Sequence, residues 1–185
     1  MDIGIISARY ARALFAFAKD RGTETRVYND IKMLATSFEK EAALKEVLDN
    51  PVLPETDKKR LIRSAAGIEV CPEFERFIQL VLQYKRESLL QIMCLIYISL
   101  YRKEKNINRI YLYTAVPLAK DLKDKLTNDI QQKTGGTIEF SEHINPELIG
   151  GLIIRMNNYQ MDASVASQLK RVKKQLMEKN RQTEE

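Results

Sequence analysis

The sequence predicts an α+β chain with an N-terminal six-helix bundle over residues 1–105, a small α/β C-terminal domain over 106–180, and a frayed tail at 181–185. Two observations carry that division. From Ile6 to about Lys105 the apolar residues recur at helical steps, and the breaks fall at Gly22, Asn50-Pro51, Gly67 and Cys71-Pro72, residue types that close or open helices. After Lys105 the pattern changes, because Arg109 to Val116 is rich in Tyr, Ile and Val, the side chains that suit a pleated strand. With 44% apolar residues in 185, the chain can bury a core in one ordinary domain or two small ones.

The expected helices are Ile6 to Lys19, Thr23 to Phe38, Ala42 to Leu48, Glu55 to Ala66, Glu73 to Tyr84 and Ser88 to Lys103. In the second, Val27, Ile31, Leu34, Ala35 and Phe38 form one apolar stripe, and Thr23 is placed to cap its N-terminus. The sixth is apolar nearly all round from Leu89 to Tyr101, which places it at the centre of the bundle. Beyond the strand near Arg109 to Val116, Pro117 opens a helix with Leu118, Leu122, Leu126 and Ile130 spaced by four, and Gly135-Gly136 ends it. Thr137 to Ser141 resumes strand character. Leu152 to Met156 and Tyr159 to Met161 flank Asn157-Asn158, residues that tolerate the positive φ of a tight hairpin. The last helix, Ala163 to about Lys179, carries Val165, Leu169, Val172 and Leu176 on one side and Lys, Arg and Gln elsewhere.

Composition narrows the function classes. Thirty basic residues against 25 acidic give a net charge of +5, a modest excess that by itself selects neither nucleic acid, membrane nor an acidic partner. Cys71 and Cys94 have no CxxC spacing, which argues against a zinc site or a disulfide-built domain and for a reducing compartment. Met1 to Ser7 lacks the plan of a signal peptide. The strongest apolar run, Leu89 to Tyr101, falls short of the roughly 20 residues needed to cross a bilayer, so any membrane association is expected to be indirect.

Two helices carry more apolar surface than a core requires. In the first, Ile6, Tyr10, Ala13, Leu14 and Phe17 occupy one sector and Ala8, Ala11, Phe15 and Ala18 another, well beyond the stripe of about 100° that a packed surface helix needs. In the fifth, Phe74, Phe77, Ile78, Val81 and Leu82 suffice for a core, and Leu80 and Tyr84 extend the stripe to one side. Surplus edges on two neighbouring helices would make a groove for an amphipathic helix of another protein, with Tyr10 and Tyr84 suited to anchor it. Simple burial of both helices explains the same periodicity.

A family resemblance covers almost the whole chain. Ile138, Phe140, Ile144, Asn145, Leu148, Gly150, Gly151, Leu152, Ile154 and Arg155, in the run IEFSEHINPELIGGLIIRMN, followed by Asp162, Ser164 and Val165, resemble the signature of the ATP synthase delta subunit and its mitochondrial counterpart, the oligomycin-sensitivity-conferring protein. ARYARALFAFAKD, from Ala8 to Asp20, is similar to that family's first helix. Asn157-Asn158 departs from the family's more usual Gly with an acidic residue, which bears only on the turn. The resemblance implies a non-catalytic stator subunit of an F-type, proton-translocating ATP synthase, peripheral on the cytoplasmic face of a bacterial inner membrane. It implies that the helical domain binds N-terminal helices of the alpha subunits through its first and fifth helices, with Ile6, Tyr10, Ala13, Phe17, Phe77, Leu80 and Tyr84 as contacts. It also implies that the C-terminal part binds b-type stalk subunits, with Gly150, Gly151, Leu152, Ile154, Val165, Leu169 and Val172 on that side. Gly150-Gly151 precedes an apolar strand, where absent side chains let another backbone or helix come close.

No catalytic residue, cofactor or metal site is expected. His143 is the only histidine, and no GxSxG, GxGxxG or GxxxxGK[ST] motif is present. The competing reading is a basic α+β nucleic-acid-binding protein, suggested by Lys170, Arg171, Lys173, Lys174 and Lys179 and by the tyrosines of Arg109 to Thr114. Against it stand the apolar stripe on the same helix and the lack of GxxG or RRM-type aromatic motifs.

Overall fold

The computed structural model describes residues 3–67, 69–156 and 159–183. Among these residues the chain is α+β, with eight α-helices and one four-stranded sheet. It divides into two compact units, Met1–Glu104 and Lys105–Glu185.

The first unit holds α1 (Ile3–Asp20), α2 (Glu24–Lys40), α3 (Ala42–Asp49), α4 (Glu55–Ala66), α5 (Pro72–Gln83) and α6 (Leu90–Glu104), with a 3₁₀ turn at Glu87–Leu89 before α6. Its core forms where α2 lays Val27, Ile31 and Leu34, each fully buried, against neighbouring helices. Side chains of this size contribute about 1.5–3 kcal/mol apiece when buried. Ala11 and Ala18 of α1 are also fully buried; their small size lets α6 come close, and Phe15 meets Tyr97 edge-on at 5.7 Å. Tyr28 of α2 stacks on Tyr101 of α6 at 4.1 Å.

Two expectations are corrected here. Thr23 occupies the N-cap position of α2, but its side chain makes no capping bond. Its hydroxyl and N–H both turn back to the Ala18 carbonyl, at 3.4 and 2.9 Å, so it closes the preceding helix. The expectation of an all-round buried sixth helix fails as well. Met93, Cys94, Tyr97 and Ile98 are buried, whereas Ile92 and Leu95 are exposed, because α1 and α2 cover only part of its circumference.

In the second unit the strand order is β2-β1-β3-β4, with β1 Ile107–Thr114, β2 Thr137–Ile144, β3 Leu152–Met156 and β4 Tyr159–Asp162. β1 runs parallel to β2 and antiparallel to β3, and β3 pairs antiparallel with β4. A parallel pair needs a crossover, which α7 (Lys120–Thr134) supplies. It starts later than the expected opening at Pro117, so Leu118 lies ahead of it, and it ends at Gly135 with φ +67° and an N–H bonded to the Gln131 carbonyl. Lys123 of α7 reaches Glu142 at 3.1 Å, so α7 lies on the face of β2 that carries Glu142. The paired residue Leu112 is fully buried there, as is Ile110 two positions back. The expected Asn157-Asn158 turn lies outside the described residues. The last helix, α8, spans Val165–Thr183, through the first residues of the segment expected as a tail.

Candidate partner-binding surfaces

α1 and α5 lie side by side and leave between them a groove of about 450 Å³. Its walls are Arg9, Tyr10, Ala13, Leu14 and Phe17 from α1, and Glu73, Arg76, Phe77 and Leu80 from α5. On each helix these residues follow the i, i+3, i+4, i+7 rule that puts side chains on one face. The structure also settles which side of α1 is internal: Ser7, Ala11, Leu14 and Ala18 are buried, and Tyr10, Ala13 and Phe17 turn to the groove.

Five of the seven residues expected at this surface therefore come together, namely Tyr10, Ala13, Phe17, Phe77 and Leu80. Ile6 is half-buried one turn before the groove, and Tyr84 is exposed at the C-cap of α5; neither lines it. Sequence reasoning passed over Arg9, Glu73 and Arg76, although the same spacing rule reaches them. The rim is basic. Arg86 lies over the Tyr10 ring at 5.2 Å and Arg21 over Phe17 at 5.5 Å. The Glu73 carboxylate is held below its ordinary value, first by its own backbone N–H, with the Cys71 thiol and the charges of Arg21 and Arg76 adding to the effect. The channel is thus apolar on its floor, with Arg9, Arg76 and one carboxylate, Glu73, among its lining residues.

The α5 wall is fixed from behind. Cys71 precedes Pro72 at the start of α5, and its N–H donates to the buried Asp30 carboxylate of α2 at 2.9 Å. Burial, the dominant effect, raises the Asp30 carboxyl above its usual range against the pull of that bond. It also lifts the Cys71 thiol to about 11 and Cys94 to about 12, so both cysteines behave as packed, unreactive side chains. At the other end of α5, Lys58 of α4 is 4% exposed and its ammonium meets Glu87 Oε1 at 2.5 Å. Glu87 follows directly on Arg86.

The second surface is on α8. Val165, Leu169, Val172 and Leu176 are 36%, 56%, 51% and 59% exposed, an apolar stripe left uncovered, with Lys170, Arg171, Lys173 and Lys174 on the other faces. The root of this helix is tightly held. At Gly151, with φ +73°, a Cβ would fall 2.2 Å from the Ala163 carbonyl oxygen, and at Gly150 it would lie 3.2 Å from Val165. The backbone that the two glycines admit is thus the chain's own entry into α8, locked by Val165 N–H to Gly150 O and Ala163 N–H to Leu152 O, both 3.0 Å. The Asp162 carboxylate accepts from the hydroxyls of Ser164 and Ser167 at 2.7 Å and from the Ser164 N–H at 2.9 Å. Those bonds, the Ser167 hydroxyl first, hold its pKa below the usual range. Leu152 and Ile154, expected on the same partner surface, are half-buried in β3, where Ile154 pairs with Leu112.

Ser141 Oγ lies 3.1 Å from His143 Nε2, but the pair sits on an exposed strand face without an oxyanion-stabilising pair of donors or an orienting carboxylate in its contacts. Among the described residues no three His, Cys, Asp or Glu side chains gather as metal ligands would, and no helix is long and apolar enough to cross a membrane.

Relatives agree with this architecture. The chain is 51% identical over 178 residues to the ATP synthase subunit delta of Parabacteroides distasonis, covering 96% of this chain and 99% of the relative. To its counterpart in Phocaeicola vulgatus it is 47% identical over 182 residues, 98% of each chain. Among solved structures, a chain in the cryo-EM structure of the Toxoplasma gondii mitochondrial ATP synthase hexamer superposes with a TM-score of 0.70 at 22% identity, over 92% of this chain and 97% of that one. That likeness establishes a shared fold. The family model of the ATP synthase delta (OSCP) subunit matches residues 6–176, and with these near full-length relatives it places the chain in that family.

Proposed function

We propose that this protein is the non-catalytic stator link of an F-type ATP synthase. Its N-terminal unit, a six-helix bundle, receives N-terminal helices of the alpha subunits in the α1–α5 groove. Its C-terminal α/β unit holds the b-type stalk subunits along α8. The observation that carries this reading is that each compact unit bears its own uncovered apolar surface, one a groove and one a helical stripe, and each is set on elements pinned by hydrogen bonds to residues outside the helix that bears it. A chain with two such surfaces can couple two bodies, so that the catalytic head stays still while the rotor turns. It does so by binding free energy and stiffness, with no chemical step of its own. The protein would sit at the cytoplasmic face of the membrane as part of the complex. No finding supports the nucleic-acid reading.

Calorimetric titration of the full chain with a peptide of the alpha subunit's N-terminal helix, and separately with the C-terminal part of a b-type subunit, tests the proposal. Leu80→Asp should weaken the first by about tenfold or more and leave the second unchanged, because it sets a charge in an apolar channel. Leu169→Asp should do the reverse. Loss of neither interaction in either variant would refute the assignment of surfaces, and no binding by the folded wild-type chain would refute the link itself.

A further inference from the structure

The turn ahead of β3 holds a residue that the fold itself does not account for. A 3₁₀ turn, Pro146–Leu148, ends on Ile149, whose N–H is bonded to the Pro146 carbonyl and whose backbone stands at φ +64°, ψ −40°. A β-branched side chain is strained there, and glycine would relieve the strain. Burial does not explain the choice, since Leu148 makes the buried contact of this turn and Ile149 is 66% exposed. Its neighbour ties it to α8. At Gly150 a Cβ would lie 3.2 Å from Val165 Cγ2, and the Gly150 carbonyl accepts the Val165 N–H. Ile149 is thus one residue away from the chain's contact with the first member of the exposed stripe Val165, Leu169, Val172 and Leu176.

We propose that Ile149 is a partner contact that completes the α8 stripe at its N-terminal end, and that the occupant of the joined surface is a single partner helix with an apolar seam and acidic flanks. This rests on the reading of α8 as the stalk-binding element and adds to it a residue and a chemistry. Steps of four, three and four confine the stripe to about 60° of the helix circumference, the narrow seam that one partner helix covers. Charge selects the flanks of that helix. From Val165 to Met177 the chain carries Lys170, Arg171, Lys173 and Lys174 and no carboxylate, and Glu178 and Lys179, next in line, offset each other. The carboxylates at the root of the helix leave an excess of cations: Asp162 is bonded to Ser164 and Ser167, and Glu147 lies in the turn. Lys173 and Lys170 fall on one side of the seam and Gln168 and Gln175 on the other, which places the partner's acidic residues along the first side. Basic amphipathic helices also lie on anionic lipid, but those present a broad apolar face, commonly with Trp or Phe, and α8 has neither residue.

Calorimetric titration of the full chain with the C-terminal part of a b-type subunit, at low and physiological salt, tests this, with phosphatidylglycerol vesicles in parallel. Ile149→Gly should weaken binding about tenfold, the loss of one aliphatic contact, although it relieves strain in the free chain. Ile149→Ala, which keeps a Cβ on the backbone, should weaken binding to a similar extent and so separates the lost side chain from the added freedom of glycine. Lys170→Gln with Lys173→Gln should lower affinity about fivefold and flatten its salt dependence. Unchanged affinity in Ile149→Ala, or an unaltered salt dependence in the lysine variant, would overturn the proposal where Leu169→Asp still weakens binding. Wild-type affinity in Leu169→Asp would overturn the reading of α8 beneath it. Binding to the vesicles alone, reduced by the same variants, would overturn both in favour of a lipid surface.

Discussion

Replacing Lys58 by Met removes one half of a buried ion pair and should be among the most damaging single changes in the helical unit. The ammonium lies 2.5 Å from Glu87 Oε1, with the two side chains only 5% and 14% exposed, and Glu87 Oε2 is buried without a protein partner. In Lys58→Met the carboxylate keeps its desolvation and loses its charged donor, Lys58. Orphaning a buried charge in this way costs about 3–5 kcal/mol, against a total of roughly 5–15 kcal/mol for a domain of this size. At about 4–8 °C per kcal/mol, melting should fall by roughly 15 °C or more. The double variant Lys58→Met with Glu87→Leu should recover most of the loss, because a packed apolar pair carries no such penalty. Urea titration followed by helical circular dichroism measures both. A loss below about 1 kcal/mol in Lys58→Met, or a double variant no more stable than the single one, would refute the reasoning. Since Glu87 adjoins Arg86, which covers Tyr10, the single variant should also bind the alpha-subunit peptide more weakly.

Substitutions at two further positions probe the buried carboxylate and the backbone. At Asp30 the raised pKa means that the native state holds its proton more tightly than the unfolded chain. Its contribution to stability is therefore fully present below the unfolded value of about 3.9 and is lost as pH rises through the folded one. Asp30→Asn, which can still accept from the Cys71 N–H, should remove that slope and stay within about 1 kcal/mol of wild type at neutral pH, whereas Asp30→Ala should cost about 1–3 kcal/mol by orphaning the N–H. The pH dependence of the urea midpoint distinguishes them, and an unaltered slope in Asp30→Asn would count against the assignment. Ile149, a β-branched residue at φ +64° and 66% exposed, is strained with little burial to offset it. Ile149→Gly should raise stability by about 1 kcal/mol, and a fall would show that the contacts of the side chain within the fold, or the added freedom of glycine in the unfolded chain, outweigh the backbone strain.

Much of this was legible in the sequence, and the limits have physical causes. The helices of the first unit and the switch to strands after Lys105 follow from periodicity, because local spacing decides which face can be buried. The groove residues Tyr10, Ala13, Phe17, Phe77 and Leu80 were legible for the same reason, as surplus on an otherwise sufficient stripe. Ile6 and Tyr84 were drawn in by that stripe too, but a groove ends where its two walls diverge, and that is a property of packing. The exposure of Ile92 and Leu95 on α6 could not be read from composition, since an all-round apolar helix says nothing about how many neighbours it finds. Nor could the burial of Lys58 and Asp30. Their partners, Glu87 and the Cys71 N–H, lie 29 and 41 positions away, and a polar residue looks like surface until its distant partner is known. Gly150-Gly151 announced a close approach without saying that the approaching backbone belongs to the same chain.

A stator must resist displacement as well as bind, and the polar contacts of this chain lie where they would limit compliance. The α5 wall of the groove is tied at its N-terminal end by Asp30 to Cys71 and beyond its C-terminal end by Lys58 to Glu87, each bond linking helices far apart in sequence. Apolar packing alone is non-directional and tolerates sliding, whereas a buried hydrogen bond or ion pair is satisfied in one geometry and costly in any other. The same logic governs α8, whose exposed stripe can serve as a handle only if its base does not swivel. Gly150 and Gly151 let the Ala163–Val165 segment come within backbone hydrogen-bonding distance, and Asp162 gathers Ser164 and Ser167 at the first turn. Placing a side chain at Gly151 would force that segment away from Leu152. The helix could keep its own hydrogen bonds and its apolar stripe and still lose its aim, which separates the affinity of this surface from its capacity to bear load.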